Sequence, residues 1–281
     1  MHVEHGAERK ESWITGFAIL SRDLIVVSDY NNNRVKIINV EESYVLSRIV
    51  TQTSPKDLTI ISPDFVVVTL PALDTVQFLS IEGWPPTLHA SKRAFKVNGY
   101  CNGIEYTNSR LFVTFVSPAK LEILTLQGEV LHTLSQDHLG VALFKSPQYL
   151  AVYNGTIFVT DSHSNSVVKV SQDGYVLETY QDEALRNPQG IVATDEGNIL
   201  VCGQDSHNIH SITSQCKKLS VSLGNEDGIW WPHVIGHCRD RNAIYISSTS
   251  GEPDRDNYLR MYAFADTGSL SLRLLERDLS S

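Results

Sequence analysis

The histidines and cysteines have the widest chemical repertoire in this chain. His233 and His237 fall on one face of an alternating apolar stretch that ends at Cys238, and His207 and His210 flank a polar loop. Two residues four apart on a strand are separated by about 13 Å. They cannot share a metal ion without a bulge, whereas on a helix the same spacing would suit one. The 4 cysteines, Cys101, Cys202, Cys216 and Cys238, form no C-x-x-C pair and read as reduced, buried thiols. No G-x-S-x-G elbow, phosphate loop or H-E-x-x-H is present. The residues therefore assign no catalytic, metal or cofactor site, and the expectation is a protein that is not an enzyme.

The totals bound the class. The chain has 281 residues, is 42% hydrophobic and carries a net charge of −9 from 23 Lys and Arg against 32 Asp and Glu. That length supports a sizeable core. An acidic balance opposes DNA or RNA as the main ligand, because gripping phosphates needs basic side chains. No apolar run approaches the roughly 18 residues of a membrane helix, and residues 1–13 show no secretory leader. A cytoplasmic protein without membrane contact is expected.

Stepping along the chain, one unit recurs. Leu24-Ile25-Val26-Val27-Ser28-Asp29-Tyr30-Asn31-Asn32-Asn33-Arg34-Val35-Lys36-Ile37-Ile38 is an apolar run, a polar loop and an alternating run, which is the pattern of two strands and their connection. Residues 156–170 and 199–212 repeat it without a gap. The apolar residue before each loop falls at Val27, Val68, Val113, Val159, Val201 and Ile246, about 41–46 residues apart. A short strand precedes each mark and another follows each pair, as in Gly174-Tyr175-Val176-Leu177 after the Asp173-Gly174 turn. Six four-stranded antiparallel units at this period indicate an all-β, six-bladed propeller, in which stacked blades bury a continuous core. A sandwich would not repeat at this period, and solenoid coils are shorter.

The expected organisation is a flexible lead or edge strand over 1–13, a propeller over 14–276 and a tail over 277–281. Ser269 to Leu275 supplies the last outer strand, so the ring closes by packing blade six on blade one. An insertion falls in residues 250–257 of unit six. Unit two diverges most, with Gly83-Trp84-Pro85-Pro86 after its third strand and a long connection running to Phe95 and Lys96. Asp29 and Asp161 open equivalent loops and are read as turn residues whose carboxylates accept backbone N–H groups. Of Trp230 and Trp231, at least one is expected to seal the seam between units five and six.

The motifs Pro188-Gln189-Gly190-Ile191 and Ile25-Val26-Val27-Ser28-Asp29-Tyr30-Asn31-Asn32-Asn33-Arg34-Val35 resemble NHL repeats. Over residues 14–275 the chain is similar to the C-terminal six-bladed propeller of tripartite-motif proteins. The resemblance implies a partner-binding module, the substrate-recognition part of a ubiquitin ligase system. The RING that such a system uses cannot be built from 4 scattered cysteines. Some NHL propellers bind single-stranded RNA and others bind proteins. On this chain the second-to-third-strand loops carry Asp29, Asp74, Asp161, Asp205, Glu252, Asp254 and Asp256 against Arg34, Lys120 and Arg255. The blade connections add Asp137, Asp182, Glu183, Glu226 and Asp227 against Lys145 and Arg186. An acidic face disfavours RNA and suits a protein or peptide partner, engaged by Tyr30, Asn32, Arg34, Lys120, His163, His207, Trp230 and Arg255. A calcium-dependent propeller hydrolase is the further alternative, weakened because only Asp57 and Glu105 are acidic in the inner strands.

Because each of the six units supplies its own four strands, removing residues 1–10 should leave the melting temperature almost unchanged. A large loss of thermal stability in that truncation would mean that the lead supplies a closing strand.

Overall fold

The structure is a computed structural model that describes residues 11–248, 259–264 and 272–274. The first blade is β1 (Ile14–Ile19), β2 (Leu24–Asp29), β3 (Arg34–Asn39) and β4 (Tyr44–Val50); the second is β5 (Leu58–Ser62), β6 (Phe65–Leu70), β7 (Thr75–Glu82) and β8 (Thr87–Lys96). Blade three is β9 (Tyr100–Thr107), β10 (Arg110–Ser117), β11 (Lys120–Leu124) and β12 (Val130–Leu134). Blade four is β13 (Pro147–Tyr153), β14 (Thr156–Asp161), β15 (Ser166–Val170) and β16 (Val176–Gln181). Blade five is β17 (Pro188–Ala193), β18 (Asn198–Gly203), β19 (Asn208–Thr213) and β20 (Lys218–Leu223). Blade six is β21 (Pro232–Cys238), β22 (Ala243–Ser248), β23 (Leu259–Phe264) and β24 (Leu272–Leu274). Each blade is an antiparallel sheet in chain order, and the first strands of successive blades pack side by side around an axis.

The second strands are buried on both faces, which is why they read as unbroken apolar runs. Between blades, Val26, Val35 and Ile37 pack on Leu58, Val66 and Val68. Phe112 and Leu121 pack in the same way on Leu150 and Ile157. The outer strands are largely exposed, as in β12 and β16.

The hydroxyl after the mark sets the spacing between blades at four seams. Thr114 accepts the Gly103 amide of its own inner strand at 2.9 Å and donates to the Gln148 carbonyl of the next blade at 2.6 Å. Thr69 accepts the Asp57 amide and donates to Asn102, Ser247 accepts the Val234 amide and donates to Ile14, and Ser28 donates to Lys56. In blades one, three and six the register of the inner strand shifts beside these hydroxyls, so backbone groups that leave the ladder find partners there. At the last seam Ser247 joins blade six to blade one, while β24 pairs with β23. Among the described residues the ring therefore closes by packing, with no exchanged strand. Arg241 of blade six adds an ion pair to Glu41 at 2.8 Å and one to Asp23.

The amides aligned on this tier belong to Asp57, Gly103, Tyr149 and Val234, with Gly16 and Gly190 facing their neighbours in the same way. A Cβ on Gly16 would lie 2.8 Å from the Asp57 Cα, one on Gly103 2.8 Å from the Tyr149 Cα, and one on Gly190 2.7 Å from the Val234 Cα. Glycine in alternate blades lets the next inner strand approach to backbone contact.

Two expectations shift. The long connection of unit two is β8 itself, which pairs with β7 along its whole length and carries Arg93 over the Phe78 ring at 3.9 Å. The loop-opening Asp29 and Asp161 do more than shape turns. Asp161 accepts the Lys145, Ser146 and Ser164 amides, and Asp29 takes Ser12, the Trp13 amide and the Lys36 ammonium. Each thus clamps the segment entering its inner strand. Blade five has Gly203 at this place, and Ser206 substitutes by accepting the Arg186 amide at 3.0 Å. Residues 1–10, the insertion at 250–257 and the tail at 277–281 lie outside the described residues.

Thr114→Val should lower unfolding free energy by about 1–3 kcal/mol, because it strands a buried amide and a buried carbonyl at one seam. Urea denaturation checks the value. Gly103→Ala should cost at least as much, through its clash with the Gln148 carbonyl.

Candidate functional site

All six inner strands run the same way along the axis. The second-to-third-strand loops and the blade connections therefore share one end, here the loop end, and the hairpin turns share the other. Burial is graded along the inner strands: β1, β5 and β17 start buried and finish half-buried. The channel is thus closed at the loop end and open at the hairpin end.

The closure is a polar plug. The Tyr149 hydroxyl crosses from blade four and donates to the Thr15 carbonyl of blade one at 2.7 Å. It lies 3.0 Å from His233 Nε2, and the Gln204 amide nitrogen lies 3.3 Å from His233 Nδ1. The Tyr149 hydroxyl spends its proton on Thr15, so the His233 ring links Gln204 on one side to Tyr149 and Lys56 on the other. Lys56 Nζ sits 3.1 Å from the same Nε2, 5.1 Å above the Tyr149 ring and 5.9 Å from the Trp13 ring. Burial pulls the Lys56 ammonium down to about 8, partly offset by Asp57. Burial, then the Lys56 charge, holds His233 well below the usual imidazole range, and burial drives the Tyr149 phenol upward. The plug is held by hydrogen bonds and by ring faces under a cation rather than by an ion pair.

Below it lies a cavity of about 320 Å³ lined by all six blades, with Phe17, Ile19, Val152, Val192 and Ile235 among its apolar walls. Two carboxyl groups face it. Asp57 accepts the Leu58 and Ile104 amides at 2.9 Å, and Glu105 Oε2 accepts the Val152 amide at 2.8 Å. Burial pushes Asp57 up to about 7 and Glu105 up to about 8, against the pull of those amides. His237 stands at the open rim against Phe264, 5.8 Å between rings. His233 and His237 thus serve opposite ends of the channel. His210 is buried, with Nδ1 2.8 Å from the Tyr180 hydroxyl and Nε2 3.1 Å from the Ala184 carbonyl. Among the described residues no group of three or more His, Cys, Asp or Glu is arranged to hold a metal.

At the loop end, Tyr30 packs against Trp13 with ring centroids 5.0 Å apart. His207 packs against Trp230 at 5.6 Å and Trp231 at 4.4 Å, and its Nδ1 accepts the Trp231 amide at 3.1 Å. This cluster bridges the blade-five loop to the entry of blade six, so both tryptophans belong to that seam while remaining half-buried. His163 is exposed and Arg34 half-buried on their own blades, and Asn32 is tied to the Asp29 carboxylate. Lys120 departs from expectation: it is 6% exposed, opens β11 and pairs with Glu122 at 2.5 Å beneath the Phe115 ring. Arg255 lies outside the described residues. Asp29 and Asp161 are also buried, so among the described residues the acidity of this face rests on Asp74, Asp137, Asp182, Glu183, Asp205, Glu226 and Asp227.

Sequence reasoning missed Lys56, Tyr149, His233 and Trp13 as a group, since nothing in their spacing announces that they converge. It also missed Leu139 and Val141, which are 75% and 60% exposed on the connection from blade three to blade four. The run of apolar residues from Leu139 to Phe144, longer than a blade connection needs, was the available signal.

By sequence, no family profile and no curated protein matches this chain. By structure it is similar to a catalytically inactive virginiamycin B lyase from Staphylococcus aureus, with a TM-score of 0.68 and 12% identity over 99% of this chain and 89% of that one. A streptogramin B lyase gives 0.64 and 14% over 91% and 84%, and a protein of unknown function from Bacteroides thetaiotaomicron gives 0.69 and 15% over 90% and 70%. At these identities the likeness establishes the six-bladed, four-stranded architecture. It does not single out NHL propellers of tripartite-motif proteins.

Glu105 supplies a pH test. Its pKa rises on folding from 4.5 to about 8, so the unfolded chain releases a proton that the folded chain keeps. Its contribution to stability is complete below pH 4.5 and is lost as pH rises through 8. The Glu105→Gln protein should therefore gain melting temperature relative to wild type on going from pH 5 to pH 8, as scanning calorimetry of the pair would show. Equal pH responses would mean that Glu105 ionises normally.

Proposed function

We propose that this chain is a non-catalytic binding module that takes a protein or peptide partner on its loop end. The observation that carries the reading is the connection bearing Leu139 and Val141. Its tip is ordered: the Asp137 carboxylate accepts the Leu139 and Val141 amides at 2.8 and 2.9 Å, and Asp137 N donates to Val141 O at 2.8 Å. Its base is anchored by buried Leu143 and Phe144. His138 on the same connection meets exposed Tyr175, 6.1 Å between rings. A fixed loop that holds large apolar side chains in water suits the anchor of an interface. This connection leaves the loop end and descends along the flank of blade four to the β15–β16 turn; the half-buried Tyr30, His207 and Trp230 supply aromatic surface at the loop end itself, and the acidic rim favours a basic partner.

The NHL-like motifs support a finer version, in which the module selects substrates within a ubiquitin ligase system of the tripartite-motif type. The ligase chemistry would come from a RING domain on another polypeptide or segment. RNA remains the weaker reading because the rim is acidic. A calcium-dependent hydrolase is weaker still, because Asp57 and Glu105 already spend oxygens on backbone amides.

Selection of a random displayed peptide library against the purified chain tests the proposal. Selected peptides should pair apolar anchors with Lys or Arg. Replacing both Leu139→Asp and Val141→Asp should weaken them by about tenfold or more at an unchanged melting temperature. Trp84→Ala, a control 88% exposed on a hairpin-end turn, should have no effect. Peptide binding indifferent to the double variant would overturn the reading. So would sub-micromolar binding of random single-stranded RNA at about 0.15 M salt that Arg34→Ala weakens.

A further inference from the structure

The channel cavity is not used by the proposed function, and it opens at the opposite end of the ring. Its volume of about 320 Å³ lies at the lower bound for small-molecule sites, about 300–1,000 Å³. Its walls are mainly aliphatic, from Ile19, Val152, Val192 and Ile235, with the Phe17 ring at one side. The charged or titratable groups among its lining residues are Asp57, Glu105, His237 and Tyr149, whose hydroxyl is committed to the plug, and no Lys or Arg is among them. Lys56, the cation next in sequence, is turned into the plug beside His233 and the Tyr149 ring. Asp57 spends both carboxyl oxygens on amides, whereas Glu105 spends Oε2 alone. That leaves Oε1 of Glu105, at the wall of a half-dry chamber, as the strongest acceptor that a ligand could reach.

From this geometry we propose that the channel is a binding site for a compact apolar primary amine, entering from the hairpin end with its ammonium on Glu105 and its hydrocarbon body against the Phe17, Val152, Val192 and Ile235 walls. The plug of Tyr149, His233 and Lys56 forms the closed floor. Specificity for a cation follows from the lining. A carboxyl group withdrawn from water holds its proton, as the upward displacement of Glu105 to about 8 reflects, and a ligand ammonium restores the partner that its ionised form lacks. A neutral isostere gains the apolar contacts alone.

Titration calorimetry of the whole chain with 2-phenylethylamine and with 2-phenylethanol at neutral pH tests this. Saturable one-to-one binding of the amine is expected, about tenfold or more tighter than the alcohol. Glu105→Gln keeps a carbonyl oxygen for the Val152 amide and should abolish the preference for the amine. Ala193→Phe narrows the half-buried rim, leaves both carboxyl groups in place and should block both probes, so it maintains the test even if the Gln variant unfolds. Circular dichroism melts report the folding of each variant. Absence of saturable amine binding, equal affinity for amine and alcohol, or amine binding indifferent to Ala193→Phe would each overturn the site.

Discussion

A side-chain hydroxyl at four of the six seams holds this ring together. Blades meet through apolar faces that could slide, because hydrophobic contact has no preferred direction. The Ser or Thr that follows each buried Val or Ile removes that freedom at four seams by binding its own inner-strand amide, the next blade's carbonyl, or both. Where the hydroxyl is missing or turned inward, other groups act. Thr160 donates within its own blade, and the seam to blade five is joined instead by the Asn187 amide on the Asn165 side chain. Cys202 stands at the position in blade five, and there Gln204, His207 and the tryptophan cluster make the connection to blade six.

That register fixes the bore. Six side chains do not fit on one tier of a channel this narrow, so Gly16, Gly103 and Gly190 yield to Asp57, Tyr149 and Val234. The alternation decides what each end of the ring can do. Tyr149, admitted by Gly103, reaches across to Thr15 and closes the loop end. Asp57, admitted by Gly16, turns to the next blade's amide and leaves its carboxyl in the cavity wall. The closed end is a surface suited to a macromolecule, and the open end is a chamber.

Charge is redistributed by the same packing. The buried pairs Asp29–Lys36 and Glu122–Lys120 take four ionisable groups away from solvent. Such pairs add little to stability but are costly to break singly, so they fix local geometry. Burial of Asp29, Asp161 and Lys120 leaves a smaller set of the counted residues to make the loop end acidic.

The sequence alone determined the repeat, the blade count and the closure by packing. Those depend on short-range patterns: apolar runs for the doubly buried second strands, Asp and Asn in the loops, and a period that a sandwich or solenoid does not produce. The hydroxyl positions were visible too, as the residues after Val27, Val68, Val113 and Ile246, though not what they bonded. Only the tertiary structure decided that Lys120 is internal, that Trp13 belongs to the loop end, and that Lys56, Tyr149 and His233 from three different blades share one plug. Each of those facts is set by the angle and distance between blades. A residue's own neighbours in sequence carry no record of which side chain faces it across a channel, because that depends on how all six seams close at once.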